Sequence, residues 1–67
     1  MTDFEAAKNE ARRYNTFDYA EEAMYRQAYP VEVLLGPDGL YWVPRCARHQ
    51  SALEDEGWDI CYGPLNA

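Results

Sequence analysis

Cys46 and His49 stand three residues apart, and Cys61 follows later with Asp59 two positions before it. A thiol, an imidazole and a carboxylate hold zinc when they converge, and structural sites bring them as paired knuckles with two residues between cysteines on each side. Here a single pair exists, so the motif is weak, although Asp59 and Cys61 would point the same way on a strand. Two small buried thiols beside one surface histidine account for the pattern more simply, and no metal and no cofactor is expected. Cys46 lies near a helix start, flanked by Arg45 and Arg48, where the dipole and the cations favour a thiolate. Its only base would be His49 on the same short helix, and no oxyanion site accompanies it. Gly36 and Gly39 belong to a turn rather than to a phosphate-binding loop. The chain reads as a protein that is not an enzyme.

The elements that must position these residues follow from local signals. Thr2 and Glu5 match a capping box, and Phe4, Ala7, Ala11 and Tyr14 then recur at three- and four-residue steps. Asn15-Thr16, with Asp18 three after Asn15, marks a break and a new cap, yet the period runs on through Phe17, Ala20, Met24 and Ala28. Residues 2–28 are therefore expected to be helical, as two helices, with one bent helix as the competitor. Tyr29-Pro30 ends the run because proline disfavours the α conformation before it.

Residues 31–43 read as a β-hairpin around Gly36-Pro37-Asp38-Gly39, a type I turn closed by a left-handed glycine. This turn sets Leu35 opposite Tyr41, Leu34 opposite Trp42 and Val33 opposite Val43. Residues 45–56 have Cys46, His49 or Gln50, and Leu53 at helical spacing, with Gly57 as a left-handed cap. Residues 58–62 alternate, with Trp58, Ile60 and Tyr62 on one face. The expectation is a single α+β domain over residues 1–67, a three-stranded sheet packed by helices.

A chain of 67 residues buries only about 60% of its unfolded surface, so its core is close to the minimum. Ten aromatic residues, six of them tyrosine, argue against disorder. Twelve acidic against six basic residues give a net charge of −6, which repels nucleic acid and anionic membrane and attracts basic protein surfaces. No apolar run approaches a membrane span, and the first segment lacks the pattern of a signal peptide. With two cysteines read as reduced, a cytoplasmic location is expected.

The hairpin is apolar on both faces. Val31, Val33, Leu35, Tyr41 and Val43 share one side, and Glu32, Leu34, Leu40 and Trp42 the other. Either helices cover both sides, the N-terminal pair on one and the helix after Pro44 on the other, or the second side is a contact surface. Candidate partner-binding residues are Leu34 and Trp42 with Glu32 beside them, Leu34 leaning to core and Trp42 to contact. Asp18, Glu21 and Glu22, with Glu10, would form a steering strip of acids.

The acidic chain with a helical start and the compact tail "VEVLLGPDGLYWVPRCARHQSALEDEGWDICYG" resembles the small orphan proteins of phages and mobile elements, including anti-CRISPR inhibitors. The resemblance implies inhibition without chemistry, by occupying a nucleic-acid-binding or recruitment surface of a host defence complex in the host cytoplasm. The partner would be a protein with a basic surface, such as a CRISPR effector complex. These families share no common fold or active residues, so no site residue is carried over. A structural homodimer or assembly component, and a metal-stabilised interaction module, are the alternatives.

Overall fold

The computed structural model describes residues 2–28 and 30–61. Along the chain run α1 (Asp3–Glu10), β1 (Arg12–Tyr14), α2 (Phe17–Tyr25), β2 (Leu34–Leu35), β3 (Tyr41–Val43), α3 (Ala47–Asp55) and β4 (Asp59–Ile60). The α+β class holds, and among the described residues the sheet has four strands in the order β1-β3-β2-β4, each neighbouring pair antiparallel.

Two N-terminal helices form, as expected, but the additional strand between them corrects the reading of residues 2–28 as wholly helical. Thr2 caps α1, its Oγ1 accepting from the Glu5 N–H at 3.1 Å, and Ala11 then leaves the helix in extended conformation. Arg12, Arg13 and Tyr14 pair with Val43, Trp42 and Tyr41. Three residues of helical periodicity thus lose to a ladder that satisfies backbone groups of β3, because hydrogen bonding across the sheet outweighs a weak local preference. The cap of α2 also moves. It is Thr16 rather than Asn15, with Oγ1 accepting from the Tyr19 N–H at 3.4 Å.

This strand carries the chain from one side of the sheet to the other. Phe4, Ala7 and Ala11 pack in one core with Leu34, Trp42, Leu53 and Trp58, whereas Tyr14 joins a second core with Phe17, Ala20, Val31, Val33 and Val43. Helices α1 and α3 cover the first face and α2 the second. The hairpin is apolar on two sides because it is the middle layer of three. The expected division, both N-terminal helices against the helix after Pro44, gives way to this one because β1 separates α1 from α2.

The hairpin register is the expected one, Leu34 opposite Trp42 and Leu35 opposite Tyr41. Gly39 N–H donates to the Gly36 carbonyl at 3.1 Å, Gly36 N–H to the Leu40 carbonyl at 3.0 Å, and Gly39 has φ 81°. Asp38 Oδ1 accepts from the Leu40 N–H at 3.1 Å and from Trp42 Nε1 at 3.0 Å. The Trp42 N–H is the main reason that the Asp38 carboxyl lies below its ordinary pKa, with smaller help from Leu40 and Arg13. Gly36 is needed for space, since a Cβ there would stand 2.7 Å from Trp42 Cδ1 and 2.7 Å from Trp58 Nε1. The two indoles cross edge to face with centroids 5.5 Å apart, and Phe4 adds a second edge contact to Trp58 at 5.4 Å.

Helix α3 ends as a Schellman motif: Trp58 N–H donates to the Leu53 carbonyl, Gly57 N–H to the Glu54 carbonyl, and Gly57 has φ 104°. The same geometry aims Trp58 back onto Leu53 in the first core. In β4, Ile60 lies opposite Leu34 and Asp59 opposite Leu35. Trp58 and Ile60 face the first core and Cys61 the second, as the alternation requires. The expected strand reached to Tyr62, which lies outside the described residues.

Candidate docking groove

Helix α2 does not fill the whole face it covers. Between it and the extended segment 30–33 lies a groove of about 590 Å³. Phe17, Met24 and Tyr25 line it from α2, Val31 and Val33 from the segment, and Cys61 from the far side. Glu21 of α2 and Glu32 of the segment are among its described lining residues, which include no lysine or arginine. Glu21 stands on the helix four positions after Phe17, so its stem follows the apolar stripe while its head reaches solvent. Glu32 alternates with the inward-facing Val31 and Val33, and its backbone N–H donates to Gln50 Oε1 at 2.9 Å, which holds the segment against α3.

The other acids of the expected strip are placed differently. Asp18 is exposed in the first turn of α2, where a carboxylate suits the positive end of the helix. Glu22 faces the opposite flank and forms an exposed ion pair with Arg26, four residues on. Glu10 binds Arg45 Nη1 at 2.7 Å, which removes it from any strip on α2. Of the expected acids, Glu21 and Glu32 are the two that line the groove, with Asp18 one helical turn from Glu21.

Leu34 lies in the core, the side to which it leans in the sequence, whereas the reading of Trp42 is corrected: it is not an outer contact residue. Leu34 is 0% and Trp42 4% exposed, both in the core beneath α1 and α3, and the Trp42 indole is further covered by the Arg13 guanidinium 5.0 Å from its ring. Among the described residues the large apolar side chains that do stand in solvent are Tyr19, 66% exposed, and Tyr25, 74% exposed. Neither was singled out from the sequence. Their spacing within α2 was visible, but which tyrosines the sheet would cover depended on where the chain crossed between faces.

The residues with chemical potential do not converge. Cys46 is the N-cap of α3 without a side-chain capping bond, Cys61 is buried in the second core, and Asp59 is exposed on β4. Among the described residues no group of three His, Cys, Asp or Glu side chains could hold a metal ion. The Nδ1 of the half-buried His49 and the Trp58 Nε1 are buried with no hydrogen-bond partner among the described residues. No described helix is long and apolar enough to cross a membrane. Comparison of the chain with protein-family models, curated proteins and solved structures finds no match.

Proposed function

We propose that the protein is a small non-catalytic binding module that acts in the host cytoplasm by covering a basic nucleic-acid-binding or recruitment surface of a defence complex, in the manner of anti-CRISPR inhibitors. The observation that carries this reading is the groove beside α2, lined by Phe17, Met24, Val31 and Val33, whose only charged described lining residues are Glu21 and Glu32. An apolar side chain of the partner enters between Met24 and Val31, and Lys or Arg groups beside it meet the two acids. Tyr25 at the rim offers a large amphipathic contact of the kind that anchors interfaces. Charge complementarity of this sort acts mainly on the association rate, with Asp18 and the net charge of −6 steering a basic surface toward the groove.

The test is affinity capture from a bacterial lysate by the native protein and by a Glu21→Lys, Glu32→Lys variant in parallel. A basic nucleic-acid-binding component retained by the first and lost from the second supports the reading. Equal retention by both, or a retained partner without a basic surface, overturns it. The dimer alternative based on the second hairpin face loses its surface, since α1 and α3 occupy that face.

A further inference from the structure

We propose that the two edges of the sheet are complementary to each other, so that β1 of one copy pairs with β4 of a second copy. The two strands are the outer members of the order β1-β3-β2-β4, and no described strand pairs with the far side of either. Such an edge is a template for another chain unless its charges forbid pairing. Here the charges are opposite. Arg12 and Arg13 are exposed on β1, Arg12 without an ion pair among the described residues and Arg13 held over the Trp42 ring. Asp59 is exposed on β4, and Glu54, Asp55 and Glu56 just ahead of it are exposed with no ion pair among the described residues.

The strand directions permit the join. Three antiparallel pairings across four strands leave β1 and β4 running in opposite senses. A copy displaced along the sheet therefore presents its β1 antiparallel to β4, the alternation continues, and the helices stay on the faces they already occupy. Like edges do not join, because β1 against β1 sets arginine against arginine and β4 against β4 sets carboxylate against carboxylate. The contact is head to tail and extends rather than closes. Strands of three and two residues supply few main-chain bonds, so the association is weak and depends on the charges.

Sedimentation over a concentration series tests this with the native chain, Arg12→Glu, Asp59→Arg, and the double variant. The native chain is expected to gain mass with concentration, and each single reversal to weaken association by more than about tenfold, as like charges brought face to face would. The double variant, with the edge charges exchanged, is expected to recover it. A native chain that stays monomeric throughout, or association indifferent to both reversals, overturns the proposal. Amide exchange of the native chain gives a second readout that needs no variant to fold. Protection that grows with concentration at Arg12–Tyr14 and Asp59–Ile60 supports the pairing, and protection confined to the α2 groove overturns it.

Discussion

Replacing Gly36 with alanine adds one methyl group where two indoles cross. The new Cβ would lie 2.7 Å from Trp58 Nε1 and 2.7 Å from Trp42 Cδ1, well inside contact distance, and both rings are rigid and buried. Neither can swing aside freely. Trp42 is tied to Asp38 through its Nε1 at 3.0 Å, and Trp58 is wedged between Phe4 and Trp42. Overpacking of this kind costs about 1–3 kcal/mol, which exceeds the ~0.4–1 kcal/mol that a glycine-to-alanine change gains from the unfolded chain. A net loss of about 1–2 kcal/mol in a domain of this size lowers Tm by roughly 4–16 °C. Urea and thermal unfolding followed by tryptophan fluorescence and far-ultraviolet circular dichroism measure it. In a Trp58→Phe background, which removes one of the clashing atoms and leaves the Trp42 ring in place, the penalty of Gly36→Ala is expected to shrink. Gly39→Ala, whose Cβ meets nothing within 4 Å, is strained by its φ of 81° alone, and its penalty is expected to be the same in both backgrounds. Stability within about 0.5 kcal/mol of the native value for Gly36→Ala, or no coupling to Trp58, would refute the steric account.

Two further predictions concern the turn and the cap of α2. Because its partners hold the Asp38 carboxyl below its ordinary pKa, the stability it adds is present above the unfolded-state pKa and fades as pH falls through the folded one. Unfolding midpoints of the native chain are expected to drop more steeply than those of Asp38→Asn on acidification below about pH 4, by under about 1 kcal/mol because the carboxyl is exposed. Parallel curves for the two proteins would contradict this. Thr16→Ala is expected to cost about 0.5–1 kcal/mol through loss of the α2 cap, while Asn15→Ala costs less than half as much in the same urea titration. The reverse order would return the cap to Asn15.

The hairpin was legible in the sequence down to its register, because the signals that set it are local. Pro37, Asp38 and Gly39 each satisfy a backbone requirement of the turn, and side chains then alternate without further instruction. The end of α3 was legible for the same reason, with Gly57 supplying its left-handed cap. The groove was half legible. Glu21 and Glu32 were both candidates, but that α2 and the segment 30–33 line one groove depends on tertiary packing that no spacing along the chain encodes.

By itself, the sequence determined an acidic α+β domain with a hairpin apolar on both faces, since composition, turn chemistry and side-chain period do not depend on distant residues. Only the tertiary structure decided that Arg12–Tyr14 is a strand. The periodicity of Phe4, Ala7, Ala11 and Tyr14 is that of a helix, but the backbone of β3 offers those three residues hydrogen bonds that a continued helix would leave unmade. That one pairing puts α1 and α2 on opposite faces. It buries Leu34 and Trp42 under α1 and α3, and it leaves Tyr25, Glu21 and Glu32 at the surface.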